Sequence, residues 1–197
     1  MLFFLWKGRC PLISSFNVIQ ASLVFPVVTH GPNRVVLLGR VKKTSSSWLG
    51  RYNGFGGKFS AEDRKCPRRC ALRELEEEAG ICGIDSDLEF IGKFWTIAVT
   101  GDWVNRWEVS CFRLYDWSGE PYETREMSPS WFPLEAFEHG LPPFADRLVS
   151  PFLLTNLICG NDMVWGYFLK RFGEKMSRCR IGFGGLEPKV PPPWFRL

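Results

Sequence analysis

The sequence predicts an α+β fold, an α/β/α sandwich built on a mixed β-sheet. Three observations carry that prediction. Runs of β-branched and aromatic residues recur along the chain between glycine, proline and asparagine, as strands do. Among them stands a polar segment, Pro67 to Ala79, with proline at its start and Gly80 after its end, the start and stop signals of a helix. A second helix-length segment, Arg147 to Cys159, comes late in the chain, with Pro151 in its first turn. Elements of both kinds pack as helices on the faces of one sheet.

The elements follow in order. Met1 to Ser15 is free of acidic residues and carries Lys7 and Arg9; it reads as a poorly specified leader with weak features of a transit signal and no clear cleavage site. Ala21 to Val28 is a strand, His30-Gly31-Pro32-Asn33 a turn, and Val35 to Leu38 the returning strand of a hairpin. Lys42 to Gly50 is a serine-rich loop, and Arg51 to Lys58 a glycine-rich turn. After the first helix come strands at Leu88 to Val99 and Arg106 to Tyr115, with Asp102 in the tight turn between them. Trp131-Phe132 is a short strand, and Val164 to Phe172 with Met176 to Phe183 a last hairpin. The tail, with Pro191-Pro192-Pro193, cannot join a ladder and is expected to be disordered. The expected organisation is therefore a leader at 1–15, one domain at 16–184 and a tail at 185–197.

Composition narrows the function. A chain of 197 residues with 45% hydrophobic and 23% charged residues suits a single soluble domain with a full core. The net charge of +4 is too small to predict a nucleic-acid polymer as partner. No run reaches the roughly 18 apolar residues of a membrane span. The cysteines number 7, an odd count, and no pair has CxxC spacing, so neither a disulfide framework nor a zinc site is predicted. Reduced thiols point to the cytoplasm, with a mitochondrial or nuclear fraction as the alternative, and the chain is expected to act as a monomer.

The chemistry concentrates in Arg73-Glu74-Leu75-Glu76-Glu77-Glu78-Ala79-Gly80-Ile81. On a helix Glu74, Glu77 and Glu78 stand at i, i+3 and i+4 and share one face. Like charges at that spacing repel by about 0.2–0.5 kcal/mol per pair, and a divalent cation reverses the sign. Oxygen-only ligands suit Mg²⁺ or Mn²⁺, and Mg²⁺ commonly joins protein carboxylates to substrate phosphates. Arg73, four residues before Glu77, is placed to hold that side chain.

This run resembles the second half of the Nudix box, arginine-glutamate-apolar-any-glutamate-glutamate-any-glycine-apolar, without a mismatch. The first half is less regular. The box asks for glycine, five residues, glutamate and seven residues before the arginine. Counted forward from Gly57 the glutamate position falls on Asp63; counted back from Arg73 it falls on Lys65. The segment is two residues longer than the box, and Glu62 or Asp63 is left to steady the loop. Further segments, Val35 to Gly39, Gly50 to Lys58, Arg125 to Phe132 and Trp165 to Phe168, are similar to the branch of that family that hydrolyses oxidized purine nucleoside triphosphates of the 8-oxo-dGTP kind. The similarity runs over about residues 21 to 183.

The resemblance implies the Nudix fold, a Mg²⁺ cofactor (with Mn²⁺ as a substitute), and release of a nucleoside monophosphate and pyrophosphate. It implies metal ligands at Gly57, Glu74, Glu77, Glu78 and Glu126, and catalytic roles for Arg73, Glu77, Glu78 and Glu126. For the substrate it implies Asn53 and Asp146 on the purine, Phe144 and Trp48 as stacking faces, Trp131 in the same region, and Lys42 or its neighbour Lys43 on phosphate. Two positions depart from the branch. Ala145 stands where the first of two aspartates is expected, and Pro143 where a stacking tryptophan is expected. Phe144 replaces that aromatic face, since any aromatic ring stacks on a base for about 1–3 kcal/mol. These departures leave the base preference open. A dinucleoside polyphosphate, a sugar nucleotide or a cap is the alternative substrate, and a silent binding module the alternative class.

Overall fold

A computed structural model describes residues 17–30, 33–44, 46, 48–100, 103–139, 164–171 and 178–183. In chain order the elements are β1 (Asn17–His30), β2 (Asn33–Val41), β3 (Tyr52–Asn53), α1 (Pro67–Ala79), β4 (Leu88–Thr100), β5 (Trp103–Leu114), β6 (Met127–Pro133), β7 (Val164–Arg171) and β8 (Arg178–Phe183). Short 3-10 turns lie at Asp85–Asp87 and Leu134–His139.

The strands are ordered β3-β2-β1-β5-β4-β7-β8, with β6 on the other edge of β2. β1 pairs parallel with β5 as far as Pro26↔Leu114, then antiparallel with β2 from Val27↔Val36 onward. The change of partner falls at a proline, which has no N–H to continue a ladder. β4 and β5 form a long antiparallel hairpin, and β7 runs parallel to β4. The sheet is mixed, as expected.

Side-chain alternation along the strands supplies two apolar faces. Val24, Leu37, Phe112 and Met127 face Ala71, Leu75 and Ala79 of α1. Their strand neighbours Phe25, Leu38 and Cys111 turn the other way, onto Ile91, Phe94 and Leu134. α1 begins at Pro67 and stops at Gly80, whose φ of 73° is left-handed and whose N–H returns to the Glu76 carbonyl at 2.9 Å.

Most expected strands are present and longer than read. The glycine-rich segment is the correction. It is not an open turn but an extended stretch laid against β1: Val24 and Phe55 exchange N–H···O bonds of 2.7 and 3.0 Å, and Ser22 N–H donates to Gly57 O at 3.0 Å. Alternating glycines hid this pairing, because they carry no side chain to show a strand period. The expected leader at 1–15, the turn residue Asp102, the helix at 147–159 and the tail at 185–197 lie outside the described residues. Among the described residues no helix is long and apolar enough to cross a membrane.

The close approach to β1 needs glycine at position 56. A Cβ there would lie 2.0 Å from the Ser22 carbonyl oxygen, a backbone atom that cannot move aside alone. Gly56→Ala is expected to lose about 3 kcal/mol of stability, read as a lower midpoint in urea unfolding.

Candidate active site

Arg73 organises the site. Its Nε and Nη2 donate to the two oxygens of Asp63 at 3.0 and 2.9 Å, a bidentate fork. Nη1 donates to Glu77 Oε2 at 3.0 Å, Nη2 lies 2.9 Å from Glu74 Oε1, and Nη2 also donates to the Lys58 carbonyl at 3.2 Å. Asp63 is 1% exposed and takes a further bond from the Ser60 N–H at 2.6 Å. The Arg73 hydrogen bonds hold its carboxyl down at about 2, against 3.8 ordinarily. Arg73 is correspondingly raised, chiefly by Asp63. Of the two acids that sequence left open, the structure uses Asp63; Glu62 is exposed. The buried partner of Arg73 is thus Asp63, whereas the Glu77 side chain keeps 57% of its surface in water.

The backbone of the lengthened loop is strained just after Asp63. Arg64 and Lys65 follow Asp63 directly and are the only non-glycine residues with positive φ among those described, at 49° and 60°. The left-handed conformation costs an L-residue about 1–2 kcal/mol. The strained turn lies between Asp63, held by Arg73, and the start of α1 at Pro67.

The glutamates of α1 differ in environment. Glu78 is 6% exposed and accepts the Gly56 N–H through Oε2 at 2.7 Å. Burial pushes its carboxyl up to about 8, with Glu74, Glu126 and Glu77 adding repulsion. Burial also raises Glu74, against the pull of Arg73. Gly57 lies so close to Glu74 that a Cβ would fall 2.4 Å from Oε1. Opposite α1, Thr124 accepts the N–H groups of Glu126 and Met127 at its hydroxyl, 3.3 and 3.1 Å away, and donates to the Glu78 carbonyl at 3.2 Å. That fixes Glu126 across from the helix, paired with Lys43 at 3.1 Å.

A cavity of about 780 Å³ opens between these walls, lined by Gly57, Glu74, Glu77, Glu78, Glu126 and Lys43 among others. The set is rich in oxygen donors, as a hard divalent cation requires. Among the described residues no three carboxylates are yet gathered around one point. Each has a present partner instead: Glu74 and Glu77 on Arg73, Glu78 on Gly56, Glu126 on Lys43. A cation would draw them off those partners, which the exposed Glu77 and Glu126 are free to leave.

The other expected residues among those described do not line this cavity. Lys42 bonds Glu123 and the Thr124 carbonyl, so Lys43 is the lysine at the cavity wall. Asn53 is half-buried on β3 beside Gly39. Trp131 is 41% exposed on β6 and stacks on Trp117 with centroids 5.9 Å apart. Trp48, also 41% exposed, sits in the serine-rich loop. Phe144 and Asp146, with Pro143 and Ala145, lie outside the described residues. Sequence reading missed Tyr122 and Thr124 on the cavity wall; a threonine two residues before an acid is a weak turn signal that pointed to the second.

A mixed sheet with a carboxylate-bearing helix set against a glycine-rich segment defines a Nudix-type hydrolase site. The NUDIX domain model matches residues 21–152, and the chain belongs to the Nudix family. It is 33% identical over 150 residues to the oxidized purine nucleoside triphosphate hydrolase of Danio rerio, covering 75% of this chain and 86% of that protein. It is 34% identical over 127 residues to the protein of the same name from Mus musculus, covering 61% and 68%. Among solved structures, the MutT protein of Bacillus halodurans superposes with a TM-score of 0.65 at 18% identity, over 83% of this chain and 97% of that one. The NUDIX domain of Shewanella oneidensis NrtR, complexed with ADP ribose, superposes at 0.57 and 14% identity, over 76% and 94%. These two likenesses concern the fold.

Two predictions follow from the Asp63–Arg73 pair. Arg73→Ala strands a buried carboxylate and is expected to cost about 3–5 kcal/mol. Adding Asp63→Ala to it should cost much less than the sum of the single losses, which a double-mutant cycle in urea measures. The pH dependence has a definite sign. Because the folded carboxyl is depressed from 3.8 to about 2, its contribution of about 2 kcal/mol is complete above pH 3.8 and is lost as pH falls through 2. Acid unfolding of Asp63→Asn should lack that part of the acid limb.

Proposed function

We propose that the protein hydrolyses oxidized purine nucleoside triphosphates of the 8-oxo-dGTP kind to the monophosphate and pyrophosphate, with Mg²⁺ (or Mn²⁺) as cofactor, sanitising the cytoplasmic nucleotide pool as a monomer. The observation that carries this reading is the convergence of Glu74, Glu77 and Glu78 of α1 with Glu126 on one cavity beside Gly57. The names of the zebrafish and mouse relatives support the substrate class.

The residues divide the work. Glu74, Glu77, Glu78, Glu126 and the Gly57 carbonyl would hold the cation. Once bound, the cation neutralises phosphate oxygens and acidifies water. Arg73 positions Glu77 through Oε2, and the Glu77 side chain stays largely exposed. Glu77, Glu78 and Glu126 are the candidates to take the proton of the attacking water as its oxygen bonds phosphorus and the anhydride P–O bond breaks. The Gly56 N–H holds Glu78 by Oε2 before a cation binds. Lys43, at the cavity wall, offers charge to the phosphates. Asn53, Asp146, Phe144, Trp131 and Trp48 would contact the purine.

The test is pyrophosphate release with Mg²⁺, comparing 8-oxo-dGTP with dGTP below saturation. A clear preference for the oxidized nucleotide is expected. Equal or absent turnover of both would move the substrate to another diphosphate-linked nucleotide. Glu77→Gln should lower turnover at least about 100-fold with an unchanged melting temperature, since Glu77 is exposed; a variant of wild-type rate would refute the metal assignment.

A further inference from the structure

The strained turn before α1 opens on a second cleft. It measures about 560 Å³ and is lined by Lys58, Arg64 and Lys65, with Ile19, Gln20 and Phe59 completing its walls. Among the described residues no acid lines it. Several other cations are ion-paired: Lys42 with Glu123, Lys43 with Glu126, Arg68 with Asp85. Among the described residues no carboxylate lies within ion-pair distance of Lys58, Arg64 or Lys65. The ammonium of Lys58 rests instead over the Trp107 ring, 5.1 Å from its centroid.

The turn that presents these charges is rigidly based. Asp63 beneath it is clamped by Arg73, its carbonyl accepts the Cys66 N–H at 2.8 Å, and Arg64 N–H returns to the Ala61 carbonyl at 3.3 Å. The left-handed backbone at Arg64 and Lys65 is the kind of outlier that points to function. The cleft also adjoins the candidate active site, since Lys58 lines both cavities.

We infer that this cleft binds a phosphate chain, and that it takes phosphates beyond the anhydride cleaved in the neighbouring cavity. The inference rests on the proposed reading of that cavity for its second half only. Three cations in a small cleft suit phosphate oxyanions, and the shared lysine places them on the path of a polyphosphate. The chain can belong to a nucleotide with four or more phosphates or to free inorganic polyphosphate.

The experiment uses the full chain and an Arg64→Gln/Lys65→Gln variant. Both side chains are exposed and outside the carboxylate cavity, so the melting temperature and the hydrolysis of triphosphates are expected to stay unchanged. Inorganic tripolyphosphate is titrated calorimetrically in EDTA, where the acidic cavity repels it and the cationic cleft alone reports. Binding should weaken about tenfold in the variant and persist in the charge-conserving Arg64→Lys/Lys65→Arg. In parallel, kcat/KM for a nucleoside 5′-tetraphosphate is divided by that for the triphosphate. A fall of both readouts supports a nucleotide chain. A fall in tripolyphosphate binding with a constant ratio supports free polyphosphate. Equal tripolyphosphate affinity in wild type and variant overturns the inference. Absent hydrolysis of every nucleotide, with the affinity difference intact, overturns the catalytic reading and leaves the cleft standing.

Discussion

The Asp63–Arg73 fork is the contact on which the rest of the site depends. A buried carboxylate is tolerable only with a partner of opposite charge and saturated hydrogen bonds. Asp63 has both, from Arg73 and from the Ser60 N–H. In return it fixes the guanidinium, and the guanidinium reaches Glu74, Glu77 and the Lys58 carbonyl. One ion pair thereby ties the loop, the helix and the glycine-rich segment together. The loop is two residues longer than the box pattern, and the chain bends into an unfavourable conformation at Arg64 and Lys65 with that pair in place.

A second constraint runs the other way. Glu78 is buried among like charges with one backbone N–H as its hydrogen-bond donor. Its carboxyl binds a proton far more readily than a surface glutamate does. Leucine in its place would pack without that penalty, so stability alone gives no reason for a glutamate there. The same applies to Glu74, pressed against Gly57. Sites that are costly to the free fold and that share one cavity are where a cationic ligand returns the cost.

The helix and its glutamates were legible in the sequence because their signals are local. Pro67 and Gly80 mark the ends, and the spacing of Glu74, Glu77 and Glu78 selects a face. The strands were legible from β-branched runs, though the ends of β1, β2 and β6 were drawn short. The glycine-rich stretch was misread because its partner, β1, lies more than thirty residues away and glycine shows no period. The choice between Glu62 and Asp63 needed the burial of one and the exposure of the other, and no local pattern supplies that. Lys42 and Lys43 are adjacent and chemically alike. Only the placement of Glu123 and Glu126, some eighty residues on, separates the lysine at the cavity wall from the one outside it.

The electrostatics of the two cavities are complementary. The larger holds four glutamates restrained by Arg73, Lys43 and one backbone N–H, and is hostile to phosphate until a cation enters. The smaller is lined by Lys58, Arg64 and Lys65 and by no acid among the described residues, which is the basis of the phosphate binding proposed for it. Lys58 stands between them, its carbonyl bound to Arg73 and its ammonium over Trp107. In the proposed reading, a polyanion approaching this face would therefore meet a receptive cleft beside a gated one. In the proposed reading the charge balance around Arg73 sets this gate, because a bound cation would compete with Arg73 for Glu74 and Glu77. Arg73 cannot leave with them, since Asp63 holds it by both oxygens. The arginine thus remains beneath the site whichever partner the glutamates have, and the loop that carries Arg64 and Lys65 remains with it.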